Sequence, residues 1–238
     1  MNALEVLWCD NHVLAIEKPA GLPSVPDDSG DLSALDLSRE WVKREYQKPG
    51  AVFLGVVHRL DRPVSGVLVF GRTSKGAARL SEALRERTVG KTYFGLVQGC
   101  LSGEGLLEQV LLKDPLHNRV RVVAEGTPGA RLARTRWRAL HEREGTTLLE
   151  LEPLTGRSHQ LRLACKTLGA PLLGDLKYGA DEPLPDRSIA LHSARFHAPH
   201  PTRDGWLRLE CSTPAEQWWN LAAPLELSSG GAFEEPHS

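Results

Sequence analysis

Two short apolar runs, Val6 to Trp8 and Val13 to Glu17, stand on either side of a polar pair, Asp10-Asn11. Runs this short, bounded by turn residues, predict strands. Val67 to Phe70 is apolar without a break and predicts a buried central strand. Tyr93 to Val97 is rich in β-formers. Ala133, Thr135, Trp137 and Ala139 alternate with Arg134, Arg136 and Arg138, which predicts a half-buried strand with three guanidinium groups on one face. Leu148 to Glu152 and Leu207 to Cys211 read as further strands. Helices are fewer. Ser74 is placed to cap one from Lys75 to Arg87, with Ala77, Leu80 and Leu84 at core spacing. Ser33 to Tyr46 carries a weaker helical pattern. Ser158 to Leu168 carries another, closed by Gly169. Pro23 to Gly30 and Asp181 to Asp186 read as loops. Many strands with a few interspersed helices make a mixed α+β fold.

At 238 residues the chain has room for one large domain or two small ones. Its 41% hydrophobic and 25% charged residues are ordinary for a globular protein. No apolar run approaches the roughly 20 residues of a membrane span. The first residues lack the basic start and apolar stretch of a secretion signal, so a cytoplasmic location is expected. Cys9, Cys100, Cys165 and Cys211 are scattered, without zinc-ligand or disulfide spacing. His192, His197 and His200 cluster loosely, but Pro199 and Pro201 interrupt them, and surface and core histidines are the better reading than a metal site. The net charge of -1 does not announce a nucleic-acid binder. Its distribution changes that picture. Lys and Arg dominate Val56 to Thr92 and again Lys113 to Arg143, while acids gather near both ends. A neutral total can therefore conceal a basic face; solvated charge spread over the surface is the alternative. Ser228 to Ser238, rich in Gly and Ser and then acidic, reads as a tail.

Two segments carry candidate chemistry. In Gly55 to Phe70, two apolar runs flank a polar knot of His58, Arg59, Asp61 and Arg62, tightened by Pro63 and Gly66. Such a knot places charge at the lip of a sheet, where functional residues gather. The competing reading is a surface turn held by an Asp61–Arg62 ion pair. In Leu151 to Arg162, a strand leads through a turn into a helix start crowded with donors: Arg157, Ser158, His159 and Gln160. That is a good anion site, or simply a well-capped helix.

His58-Arg59-Leu60-Asp61 with Ser65-Gly66, then Lys91-Thr92-Tyr93, then Thr155-Gly156-Arg157-Ser158-His159-Gln160-Leu161-Arg162 follow one another in the chain. They resemble, in order, the aspartate motif, the K-x-Y motif and the T-G-R-x-H-Q-L-R motif of the RluA branch of the pseudouridine synthases. The flanks Lys18-Pro19-Ala20-Gly21, Leu168-Gly169, Gly174-Asp175, Tyr178-Gly179 and Leu191-His192 are similar too, so the likeness runs from about Val6 to Trp218. Pro63-Val64 and Leu163-Ala164-Cys165-Lys166 depart from the pattern and bear on RNA target choice more than on chemistry.

The resemblance implies one catalytic domain over 1–227, with no S4-type RNA-binding domain and a tail at 228–238. Its fold would be a mixed, largely antiparallel β-sheet flanked by helices and loops. It implies isomerisation of uridine to pseudouridine in structured tRNA or rRNA, by a monomer with no obligate protein partner. The reaction breaks N1–C1', turns the base and joins C5 to C1'. That needs no redox partner or energy source, so no cofactor and no metal are expected, in keeping with the lack of a P-loop or dinucleotide fingerprint.

By the same resemblance Asp61 is the essential carboxylate, attacking C1' or C6 or taking a sugar proton. Burial drives a carboxyl toward its neutral form by up to about 3–5 units, and an arginine opposes this by roughly 1–3. Arg162 is the expected partner and Arg157 the alternative. Tyr93 is expected against the uracil ring, where a phenol also helps remove the C5 proton. Arg59, with His58, is expected to fill the space left by a flipped uridine or clamp its backbone. Arg62, Arg157, His159 and Gln160 join the RNA contacts. Arg134, Arg136 and Arg138 are candidates for phosphate, or a solvated sheet face. An RNA-binding module without activity would not need Asp61, Tyr93 and Arg162 together. A hydrolase built on His58, Asp61 and Ser65 lacks the G-x-S-x-G elbow, and a glycosidase lacks an evident second acid near Asp61.

Overall fold

The computed structural model describes residues 4–114, 116–215 and 218–219. The expected tail at 228–238 lies outside the described residues. The elements follow in the order β1 (Glu5–Cys9), β2 (Val13–Lys18), α1 (Ala34–Glu45), β3 (Gly55–Val56), β4 (Ser65–Gly71), α2 (Ser74–Glu86), β5 (Gly90–Gln98), β6 (Glu104–Asp114), β7 (Arg119–Val122), β8 (Arg131–Arg143), β9 (Thr146–Pro153), α3 (Gln160–Thr167), β10 (Leu191–Pro199) and β11 (Trp206–Glu210). All the strands join one sheet, in the order β1-β2-β4-β10-β5-β9-β8-β6-β7, with β3 added beside β4 and β11 beside β10. Only β4 and β10 run parallel; the other pairings are antiparallel. The fold is α+β, as the pattern predicts.

The uninterrupted apolar run of β4 has a plain cause. Leu68 and Phe70 enter the core on one face of the sheet with Leu14 and Ile16 of β2. Val67 and Val69 enter the other with Val13, Ala15, Phe196 and Leu207. Each fully buried Leu or Phe contributes about 1.5–3 kcal/mol, so burial stabilises the fold most in the middle of the sheet. Toward β6, β7 and β8 the burial alternates and one face meets solvent.

The helices lie where the pattern places them, with corrected ends. Ser33 caps α1 through a reciprocal box with Asp36, an arrangement worth about 1 kcal/mol. Thr73, not Ser74, caps α2: its hydroxyl accepts from the Gly76 amide at 3.0 Å while Ser74 is already helical. The third helix begins at Gln160, two residues later than expected, because His159 adopts a left-handed conformation at φ 52°.

Strands β3, β6, β7 and β10 are not legible as strands from their residues alone. In β10 the polar residues His192, Ser193 and His197 hide a strand whose burial is set by its central place in the sheet. In β6, Glu108-Gln109 breaks the alternation.

Three strands meet where the site forms. Ser65 and Gly66 of β4 pair with His192 and Ser193 of β10, and Ser193 pairs with Tyr93 of β5. Gly66 sits at φ 111°, and a Cβ there would lie 2.3 Å from the Ser193 carbonyl oxygen. Only glycine lets the backbones approach this closely. The approach brings the segment entering β4, with Asp61, alongside Tyr93.

Candidate active site

Asp61 stands in the connection between β3 and β4, and that connection is fixed at nearly every residue. The Ser24 hydroxyl donates to Leu60 O at 2.7 Å and accepts from Leu60 N at 3.0 Å. Arg62 O accepts from Gly21 N at 2.9 Å and from Lys18 Nζ at 3.2 Å. Pro63 O accepts from Ile189 N at 3.2 Å, and Val64 N closes a turn onto Asp61 O at 3.0 Å. The His58 ring accepts from Val69 N at 3.0 Å through Nε2 and stacks on Phe196. Burial pushes that imidazole down to about 3, with Lys91 adding to the effect, so the ring is neutral.

Lys18 holds this frame from beneath. It has no solvent exposure, and its ammonium donates to the carbonyls of Pro19, Leu22 and Arg62. Burial pushes it down to about 7, against the pull of Asp61. Three carbonyls and the nearby carboxylate favour the charged form that has three protons to give.

The Asp61 side chain is 30% exposed and reaches into an ion cluster. Arg162 Nη1 donates to Asp61 Oδ2 at 3.1 Å. The same guanidinium grips buried Asp175 in a fork, Nε to Oδ2 at 2.8 Å and Nη2 to Oδ1 at 2.7 Å. Asp175 thus orients Arg162, which in turn presents one N–H to Asp61. His159 completes the cluster. The Tyr178 hydroxyl accepts from Val120 N at 3.0 Å and lies 2.6 Å from His159 Nδ1. With the phenol donating its own proton to Nδ1, the proton of neutral His159 sits on Nε2. Nε2 points at Asp61 Oδ2 from 3.8 Å. Burial holds His159 below its ordinary value.

Tyr93 lies across the same opening, 8% exposed. Burial pushes its phenol up to about 12. At neutral pH it is a flat apolar surface with a neutral O–H.

These groups sit in an open cleft of about 1980 Å3. That exceeds the roughly 300–1,000 Å3 of a small-molecule site and suits a polymer. Among the residues lining it, Lys and Arg outnumber Asp and Glu by thirteen to four. The near-neutral chain therefore does carry a basic face, and Asp61 lies within it.

The sequence matches the RNA pseudouridylate synthase family over residues 12–167. The chain belongs to that family. Its branch is the RluA type: the dual-specificity RNA pseudouridine synthase RluA of Vibrio vulnificus is 34% identical over 86% of this chain and 80% of its own length. An uncharacterized RNA pseudouridine synthase of Bacillus subtilis, YhcT, is 34% identical over 90% of this chain and 70% of its own. The ribosomal large subunit pseudouridine synthase D of Nitrosomonas europaea is 34% identical over 83% of this chain, which spans 58% of that relative's length. In structure the chain is similar to human RNA pseudouridylate synthase domain containing 4, with a TM-score of 0.73 at 24% identity and 89% coverage of each. The pseudouridine synthase assignment makes this protein an enzyme, not an inert RNA-binding scaffold.

All twelve residues singled out from this synthase's sequence line the one cleft, but they take different tasks there. Arg162, not Arg157, partners Asp61; Arg157 donates instead to Leu132 O at 3.0 Å. No Asp61–Arg62 pair holds the turn, since Arg62 pairs with Asp31 and Asp27. Gln160, expected on RNA, is committed inward. It accepts from Thr155 and from Arg157 N, and donates to Arg134 O and to Thr135. His58, expected beside the flipped nucleotide, spends Nε2 on β4. Arg59 is exposed and has no hydrogen bond or ion pair among the described residues. Arg134, Arg136 and Arg138 do share one face, yet each is matched by an acid: Glu108 at 2.6 Å, Glu152 at 2.8 Å and Glu150 at 2.8 Å. The histidines of β10 and beyond part company. His192 bonds Ser65, His197 stacks on Trp206, and His200 pairs with Asp10.

Sequence reading missed Lys18, Ser24 and Asp175 as working parts. Lys18 had a signal: a lysine closing an apolar strand, followed by Pro19 and Gly21. Ser24 had none, its partner lying 36 residues away; Asp175 stood in the matching flank Gly174-Asp175, but nothing local tied it to Arg162, 13 residues before it.

Proposed function

We propose that this synthase isomerises uridines in a structured tRNA or rRNA, with Asp61 as the reacting carboxylate. The observation that carries the reading is the chain Asp175–Arg162–Asp61, open to a basic cleft beside Tyr93. A uridine turned out of its stack, at about a few kcal/mol, sets its ring on Tyr93 and its sugar by Asp61. Whether the carboxylate attacks C1' or C6 or takes a sugar proton, the Arg162 guanidinium, 3.1 Å from Oδ2, holds it in place. The His159 Nε2–H adds a second donor from the same side. While the base is detached, the Tyr93 face keeps it from leaving. A phenol held so far above neutrality is a poor base itself, so it guides a water or the freed uracil rather than ionising. Arg59 is free to enter the space the uridine vacates. The same reading takes the enzyme as a cytoplasmic monomer without an obligate protein partner.

The test is RNA from cells lacking this protein, mapped for pseudouridine by carbodiimide adduct and primer extension. Wild type should restore a missing site and Asp61→Asn should not, with rates at least about a thousandfold apart, the scale of about 4 kcal/mol in the barrier. A site restored equally by both would remove Asp61 from the chemistry.

A further inference from the structure

The residues free to hold phosphate are not those the sequence pattern advertises. On β8, Arg134, Arg136 and Arg138 each face a carboxylate, so that ladder is close to neutral. A second groove, of about 820 Å3, opens between the β6–β7 hairpin, the last turn of α3 and the turn at Lys177 and Tyr178. Lys113, Arg119, Arg121, Lys166 and Lys177 line it, against one acid. That acid, Asp114, is already taken by the His117 ring at 2.8 Å and by the amides of Leu116 and His117.

Two of the five cations have structural work. Lys177 donates to Asn118 O, and Arg119 donates to Lys177 O, tying the hairpin to the turn. Lys113, Arg121 and Lys166 are exposed and have no ion pair among the described residues. Strand β7 ends the strand order, so its outer edge is open and residues from both faces of the hairpin border the groove. Lys113 and Lys177 line both this groove and the catalytic cleft. The two therefore adjoin at these lysines. At its base, Tyr178 joins Val120 of the hairpin to His159 and so to Asp61.

Resting on the functional reading above, we propose that this groove binds the sugar-phosphate backbone of the substrate RNA flanking the target uridine, with Lys113, Arg121 and Lys166 as its phosphate contacts. Unpaired exposed cations release counterions when phosphate replaces solvent, whereas cations already facing carboxylates gain little.

The experiment compares wild type with Lys113→Gln/Arg121→Gln/Lys166→Gln. A control, Lys43→Gln/Arg44→Gln/Lys48→Gln, removes equal charge on and just after α1. Binding of a labelled RNA stem-loop is followed by fluorescence anisotropy from low to moderate salt, and pseudouridine formation is measured on the same RNA. Thermal unfolding checks that each variant is folded. The groove variant should lower the slope of log K against log salt by about 2 and weaken binding at least about tenfold, at roughly 0.7–0.9 per phosphate contact. The loss in turnover should fall on KM more than on kcat. The control should leave the slope near wild type. An unchanged slope in the groove variant, or an equal fall in the control, would overturn the proposal. If wild type modifies no uridine in any RNA, the functional reading fails; the difference in binding slope still decides the groove.

Discussion

The two sides of the cleft are built on opposite rules. On the Asp61 side the polar groups are buried and shared. Ser24, Lys18 and the amides of Gly21 and Ile189 fix the loop, while Asp175 fixes Arg162. On the β8 side the polar groups are exposed and paired one to one, with side chains of Arg134, Arg136 and Arg138 from 42% to 62% exposed. Buried networks are costly to break, because removing one partner strands a desolvated group. Exposed pairs are typically worth about 0–1 kcal/mol and weaken with salt. The first arrangement fixes the geometry of the reacting groups. The second leaves room to trade partners when a polyanion arrives.

That contrast is most exposed to test at Arg162. Arg162→Met should abolish turnover and also destabilise the fold by about 3–5 kcal/mol, the usual result of breaking a buried pair from one side. Asp175, with 1% of its side chain exposed, would keep a charge with no partner. Equilibrium urea unfolding reads the stability. Adding Asp175→Asn to Arg162→Met should recover part of the stability and none of the activity. A single variant that unfolds within about 1 kcal/mol of wild type would mean the cluster is not a buried network at all.

Lys18 tests the same side at one remove, since it lies behind the loop and touches backbone only. Lys18→Met keeps the volume and removes three donors, leaving the carbonyls of Pro19 and Leu22 short of a partner and that of Arg62 with Gly21 N alone. A destabilisation of about 2–3 kcal/mol is expected, since each buried unsatisfied group costs about 1–3 and the site relaxes in part. Because Leu22 O then loses its anchor and Arg62 O one of its two, kcat should fall with KM nearly unchanged. Thermal unfolding and steady-state kinetics on one RNA check both; a fall in stability alone would confine Lys18 to folding.

The same contrast explains what is legible in the sequence. Strands β2, β4 and β8 and helix α2 declare themselves because each obeys a local period, apolar throughout or alternating, that neighbours in sequence reveal. Strand β10 does not, because its burial comes from lying between β4 and β5, which no local pattern records. The site residues are legible through their motifs, and the Asp61–Arg162 contact, across 101 residues, through the resemblance alone. Their division of labour is not. Gln160 and His58 look like RNA contacts because they are polar and lie in the motifs, and only the fold turns their hydrogen-bonding groups inward. The three alternating arginines likewise predict a cationic face until β6 and β9 bring Glu108, Glu150 and Glu152 opposite them.

Those acids supply the smallest and most discriminating effect, because its sign is opposite to that of deleting a phosphate-binding cation. If the β8 arginines are held in reserve by their partners, neutralising an acid frees an arginine. Glu152→Gln leaves a hydrogen-bond acceptor for Arg136 but removes the charge that competes with phosphate. RNA binding should then tighten by about two- to fivefold at low salt, up to about 1 kcal/mol, and the slope of log K against log salt should steepen by a fraction of one contact. Folding stability should move by less than about 0.5 kcal/mol, as for other exposed pairs. Arg136→Gln should weaken binding by no more than about the same factor. If Glu152→Gln instead weakens binding, the acid itself touches the RNA, accepting from base amino groups, and the β8 side reads sequence as well as holding backbone.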